Sequence, residues 1–332
     1  MNKKRRQHYV FQAYLASWVT DEYLWCYRDG KLFNTQPIKV AQERDFYRIE
    51  PLNDYEREFL LFFYKKSHPD VLKAISEHID AYLMPLKWEK ALEKFECLIK
   101  KNFPQDSQLF VEIENELSIL KQNVDIYIND TMEDYYNDIE GDIMKFIKAL
   151  KGGDSSFYSS PDEAFSFLYS VSVQYFRTKA IKKRWISNFE LTLNSKQWDR
   201  LGFPRDRICL EHLHPLLMWE FQNLCAYNLI KTNAHLTILI NNTDIPFITS
   251  DQPVINLKAD YTNLENITDE LVFYYPLSPK VAITINDSNT DEKILLSEDD
   301  VKNYNSSMVN ASYEYLFSSN REILSQLISI SE

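Results

Sequence analysis

Pro246–Asn256 reads PFITSDQPVIN. A short β-type run (Phe247, Ile248, Thr249) stops at Ser250-Asp251, and Pro253 restarts a second run at Val254 and Ile255. The pattern is that of a strand handing two polar side chains to a sharp turn at a sheet's end, a common location for binding and catalytic residues. Outward from it the β character continues. LTILIN (236–241) precedes it, and LVFYYPLS (271–278), KVAITIND (280–287) and KILLSE (293–298) follow. Residues 299–320 read as a helix followed by a strand, and 321–330 as a terminal helix.

The first fifty residues are also β-prone. EYLWCYR and KLFNTQ flank Asp29-Gly30, a pair that favours a type I′ hairpin turn. PIKVAQERDFYRI adds a further strand or an irregular crossing, and Tyr9–Val19 a short buried helix or strand. Between these ends the period is helical. Phe110, Ile113, Leu117, Leu120, Val124 and Ile128 recur at three- and four-residue steps, and Met132, Tyr135, Ile139, Ile143, Phe146 and Leu150 continue the stripe until Gly152-Gly153 stops it. The acidic residues between them (Asp130, Glu133, Asp134, Asp138, Glu140) are expected to form a solvated face.

Ser160, Pro161 and Glu163 predict a capping box opening a helix that runs to about Leu193. Its second half carries the densest internal basic cluster: Arg177, Lys179, Lys182, Lys183 and Arg184. Another helix is expected over Pro215–Lys231. The predicted fold class is therefore α+β. A mixed or antiparallel sheet, built from the N-terminal meander (1–50) and the C-terminal β-rich region (236–332), packs against a helical region (51–235) in one integrated domain.

Composition narrows the function classes. Apolar residues make up 45% of the 332, so a packed core is expected, while only 5 Gly and no glycine-rich phosphate motif argue against a nucleotide-loop fold. A net charge of −12 disfavours non-specific binding to duplexes by the whole surface. Cys26, Cys97, Cys209 and Cys225 are scattered without a C-x-x-C pair, which predicts a reducing compartment and small buried hydrophobes. No stretch is apolar for the length of a membrane helix, so a cytosolic protein with no membrane partner is expected.

QHYVFQAYL, QYFRT, FITSDQPV and PLSP, in this order, resemble the bacterial domain of unknown function 4238 family. The matching positions are Gln7-His8; Gln174, Arg177 and Thr178; Ser250, Asp251 and Pro253; Pro276–Pro279; and Asn305, where the family has an Asn opening its last helix. Lys179 departs from the Pro that often follows Arg-Thr. Similar proteins occur among bacterial antiphage defence genes, so the resemblance implies a toxic effector without supplying a reaction.

On those positions the leading expectation is a nuclease-like hydrolase, acting without a metal or other cofactor on RNA, a nucleotide or another phosphate-bearing substrate. His8 would be the acid/base, Arg177 the anion holder and Asp251 the orienting carboxylate, with Gln7, Gln174, Thr178, Ser250 and Arg184 binding substrate. A Ser250–His8–Asp251 triad is disfavoured, because adjacent Ser and Asp cannot easily flank one imidazole. The same positions have a plainer reading: Ser and Asp at a strand end often cap a turn, and a Gln-His pair can satisfy buried backbone.

Two alternatives are carried: a non-catalytic sensor of a ligand or phage protein, and an assembly protein that dimerises through the long helix. Arg207 with His212 or His214 fits the spacing of HEPN-type ribonucleases, but Pro215 places that segment ahead of a helix. Cys209, His212 and His214 offer three zinc ligands without a fourth at a supporting interval, so no metal is expected.

Overall fold

The computed structural model describes residues 3–62, 64–65, 69–192, 198, 200–263, 266, 268–287 and 292–331. The chain is α+β. It divides into two compact units, one of His8–Gln42, Asp138–Thr192 and Met218–Glu332, the other of Met1–Gln7, Glu43–Asn137 and Leu193–Leu217. Among the described residues no helix is long and apolar enough to cross a membrane.

Both ends of the chain meet in the first unit. Leu24–Arg28 and Lys31–Thr35 form the expected hairpin, with φ of 50° at Asp29 and 73° at Gly30, the left-handed pair that a type I′ turn requires. Leu316–Ser318 pairs antiparallel with Leu24–Arg28 on one side and with Thr249–Ser250 on the other. The N-terminal meander and the C-terminal strands therefore share one four-stranded sheet. A second, five-stranded sheet runs Lys293–Leu295, His235–Ile240, Val281–Asn286, Phe273–Ser278, Ile255–Asn256, with a single parallel pair at Lys293–Leu295. The FITSDQPVIN stretch thus places its first run in one sheet and its second in the other. The Ser250-Asp251 turn is where the chain crosses.

Phe247, Ile248 and Ile255 enter a core with Tyr274, Val301, Met308, Leu316 and Leu324, which the helices Glu298–Ala311 and Arg321–Ser331 help to close. The Glu298–Ala311 helix opens with a capping box at Ser297 and Asp300 that the sequence reading missed. Asn305 does not open this helix. It lies within it, and its amide bonds the Ile248 N–H at 3.0 Å and the Pro246 carbonyl at 2.9 Å.

The long helix is Gln108–Lys151. In the second unit Phe110 and Leu117 pack with Ile99, and Val124 and Ile128 with Ile49 and Leu86. Leu120 departs from the predicted stripe and is 48% exposed. The acidic residues are not one solvated face. Asp130 and Glu133 are buried, and the backbone N–H of Lys4 reaches both Asp130 oxygens at 3.1 and 3.2 Å. The lysines of the N-terminus, Lys3 and Lys4, pair with Asp125 and Asp134. At the helix end Gly153 has φ of 79° and Gly152 donates back to Lys148 and Ala149, the expected stop.

Three helix expectations change. The single helix over Pro161–Leu193 is two, Pro161–Phe176 and Lys179–Thr192, because the Thr178 hydroxyl accepts the Ile181 N–H and restarts the helix as a cap; Leu193 lies outside the described residues. Pro161 does stand at the helix start, but Ser160 makes no side-chain cap bond, so its capping box is not formed. The next helix begins at Leu210, not Pro215, and carries that proline inside it as its sixth residue, where the ring removes the backbone bond to the Glu211 carbonyl. Of the cysteines, all four free, Cys26 is buried while Cys97 is exposed.

Candidate functional site

Asp251 is fully buried. Its two oxygens accept the backbone N–H groups of Tyr313 at 2.9 Å and Glu314 at 2.7 Å, and its own N–H donates to the Tyr315 carbonyl at 3.2 Å. Burial pushes its carboxyl up to about 6, against the opposing pull of these amide bonds. Ser250 Oγ accepts the Gln252 N–H at 3.0 Å, closing a tight turn, and lies 3.1 Å from Met308 Sδ. Gln252 in turn bonds Thr178, the Tyr175 carbonyl at 3.1 Å and the Val254 carbonyl at 2.8 Å. Thr178 and Ser250 are therefore joined through Gln252, the first at its side-chain oxygen and the second at its backbone N–H, with Asp251 between Ser250 and Gln252 in the same turn.

Arg184 works on the same turn from the other side. Its Nη2 donates to the carbonyls of Ala311 at 2.9 Å and Ser312 at 3.4 Å, and its guanidinium lies 4.7 Å from the centroid of the Tyr261 ring. Asp251 takes the donors of the Ala311–Tyr315 turn and Arg184 takes its acceptors. Glu314 is further held by Lys179 at 2.7 Å and by Arg28 at 3.8 Å, and Arg28 also lies over the Tyr315 ring at 4.6 Å and bonds the Tyr315 hydroxyl.

This clamped turn walls an open cleft of about 370 Å³, shared with Tyr27, Asp29, Gly30, Val309, Leu316 and Ile328. The cleft escaped sequence reasoning. Its available signal was Tyr313-Glu314-Tyr315 at a helix-to-strand junction beside a hairpin tip.

Arg177 belongs to a different group. Its side chain is fully buried, with Nη2 at 2.8 Å from both the His8 carbonyl and Glu140, Nε at 3.3 Å from the Tyr9 carbonyl, and the guanidinium 4.5 Å from the Phe11 ring centroid. Arg177 therefore touches the backbone of the Gln-His segment. The His8 imidazole keeps partial exposure beside Gln12 and lies 3.2 Å from the Ile38 carbonyl. Burial, with help from the Arg177 cation, lowers its pKa, so the neutral ring is favoured. Gln7, in the second unit, donates to the Asn129 carbonyl and accepts the Tyr47 N–H, both at 2.6 Å. Gln174 is buried, and among the described residues neither of its amide atoms has a hydrogen-bond partner.

No histidine is among the partners of Asp251; both of its oxygens are spent on amides. His8, Arg177 and Asp251 each lie against a different set of backbone groups: the Ile38 carbonyl, the His8 and Tyr9 carbonyls, and the Tyr313 and Glu314 amides. Of the rival clusters, Arg207 is exposed and pairs with Asp206, while His212 lies 3.2 Å from Glu56. Among the described residues one set of three metal-type donors lies together: Glu56, Cys209 and His212.

An α+β chain whose crossing turn clamps a tyrosine-walled cleft is the class that fold and site define. Over residues 6–322 it matches the family described as Protein of unknown function (DUF4238), and it belongs to that family. No curated protein and no solved structure matches the chain.

Proposed function

We propose that the chain is a binding module whose recognition site is the cleft at the Ala311–Tyr315 turn. The observation that carries this reading is the use made of Asp251. A buried carboxylate that accepts two amides is costly to desolvate, and here those bonds fix the tyrosine turn that walls the cleft. Tyr27 and Tyr313 offer planar, amphipathic faces beside the buried Tyr315 ring, which is itself held between Arg28 and Phe317, and Asp29 and Glu314 accept hydrogen bonds. That chemistry suits a small planar molecule bearing N–H donors, of the nucleoside type. Titrating nucleosides and nucleotides by calorimetry should give saturable binding that Tyr313→Ala weakens by about tenfold, the order expected for loss of one stacking face. RNA, tRNA and nucleotides incubated with the chain, with and without EDTA, should stay intact. Consumption of any of them would overturn the binding reading.

A second reading, a metal-independent effector of antiphage defence acting on RNA, draws on one observation: His8 keeps a partly exposed imidazole whose pKa burial lowers, so that the neutral ring is favoured and can serve as a base. It requires RNA cleavage that His8→Ala abolishes at unchanged melting temperature.

A further inference from the structure

Glu56 lies in the first turn of the Asp54–Phe62 helix, Cys209 immediately precedes the Leu210–Lys231 helix, and His212 follows three residues on. Each offers one ligand atom, and these atoms lie within 4.8 Å of one another. All three belong to one compact unit. Their mutual bonding is already close: Glu56 Oε1 accepts the Cys209 N–H at 2.9 Å and lies 3.2 Å from His212 Nδ1. The second oxygen, Oε2, accepts the Asn53 N–H at 2.9 Å, which fixes the carboxylate's orientation from behind.

Thiolate, imidazole and carboxylate together form a donor set for a borderline-soft divalent cation, and differ from the all-oxygen sets of calcium and magnesium. Zinc bonds of about 2.0–2.3 Å give tetrahedral edges of roughly 3.3–3.7 Å. The Glu56–His212 pair already stands near that edge, and the sulfur needs a movement on the order of 1 Å to join it. One carboxylate and one thiolate also balance the charge of a divalent ion. The His212 side chain is 31% exposed, so the group faces solvent on one side.

We propose that Glu56, Cys209 and His212 bind one zinc ion, with the fourth coordination position open to water or to a ligand. Three protein donors and an open position is the arrangement of zinc sites that bind or activate a small molecule, whereas purely structural sites close all four. The sequence alone offers Cys209, His212 and His214 and predicts no metal; the proposal departs from that expectation, with Glu56 in the place of His214. Glu56 is remote in sequence, and only folding brings it to the C-x-x-H segment. The site does not depend on the tyrosine cleft.

The test uses the full chain, stripped with a chelator and titrated with Co²⁺ and then Zn²⁺. Expected is about one Co²⁺ per chain, with a near-ultraviolet thiolate-to-cobalt band and the intense visible bands of four-coordinate cobalt, both bleached by Zn²⁺. Cys209→Ser should remove the thiolate band, and Cys209→Ser and His212→Gln should each weaken binding by about tenfold or more, with unchanged far-UV circular dichroism. Cys97→Ser, an exposed cysteine outside the donor set, should bind as the parent does. Glu56 is left intact because it also bonds the Asn53 and Cys209 amides, so its loss can unfold the unit. A weak six-coordinate spectrum without a thiolate band, or parental affinity in Cys209→Ser, overturns the proposal.

Discussion

A carboxylate at a strand end can be spent on chemistry or on backbone, and at Asp251 the hydrogen bonds decide. Each oxygen accepts one amide, so Asp251→Ala strips two part-buried N–H groups of their partner and should lower the melting temperature. Its titration gives a sharper test. The folded-state value of about 6 stands above the ordinary aspartate value of about 3.9, so between them the folded chain binds more protons than the unfolded one. Stability must then fall as pH rises through that window, by on the order of 3 kcal/mol for this one fully buried group. Asp251→Asn cannot titrate, and its single oxygen serves one of the two amides, a loss of about 2 kcal/mol. In urea denaturation the parent's advantage over Asp251→Asn should therefore widen as pH falls from 7 to 5. A gap that stays flat across that range means the carboxylate carries the same charge folded and unfolded. Arg177 has the opposite consequence. Arg177→Lys keeps the charge but not the fork that serves Glu140 and two carbonyls, so it should destabilise more than a surface exchange of the same kind.

The crossing segment is held at the level of elements by Asn305, whose amide bonds both Pro246 and Ile248 from within the Glu298–Ala311 helix. Asn305→Ala leaves a buried donor and a buried acceptor unpaired and should cost about 3 kcal/mol, whereas Ser297→Ala, which removes only the cap of the same helix, should cost about 1 kcal/mol. Equal costs in chemical denaturation would mean that the segment does not depend on Asn305. The contrast shows what a sequence displays and what it hides. The Asp29-Gly30 hairpin, the long helix and the sheet shared by both ends are legible because period and turn chemistry are local. The fate of the motif side chains is not. Asp251 finds its amides 62 and 63 positions away, and Arg177 its carbonyls 168 and 169 positions away, so only the finished topology tells scaffold from site. Gln7, Ser250 and Asp251 followed the plainer reading of such residues, as satisfiers of backbone. The break at Thr178 and the buried Asp130 were hidden for a related reason: a cap and a neutralising backbone amide are supplied by neighbours that a periodic pattern does not register.

For the whole molecule, charge sets the terms on which a nucleic acid could be met. The chain carries −12, and three of the five cations in its densest internal basic cluster are already committed. Arg177 is buried on Glu140, Lys179 pairs with Glu314, and Arg184 is folded onto two carbonyls. Lys3 and Lys4 at the basic N-terminus are likewise paired with Asp125 and Asp134. Binding driven by phosphate contacts gains its energy by releasing counterions, and each contact steepens the dependence on salt. With these cations turned inward, the chain should show no salt-dependent association with tRNA, even at low ionic strength where such contacts are strongest. A neutral nucleoside in the tyrosine cleft releases no counterions, so its affinity should be nearly constant between low and physiological salt. Measuring both by fluorescence titration across a salt series separates the two modes. A steep salt slope with tRNA would show that a phosphate-binding surface forms despite the committed cations, and would move the weight back to a nucleic-acid substrate; a flat nucleoside affinity beside unbound tRNA places recognition in the cleft.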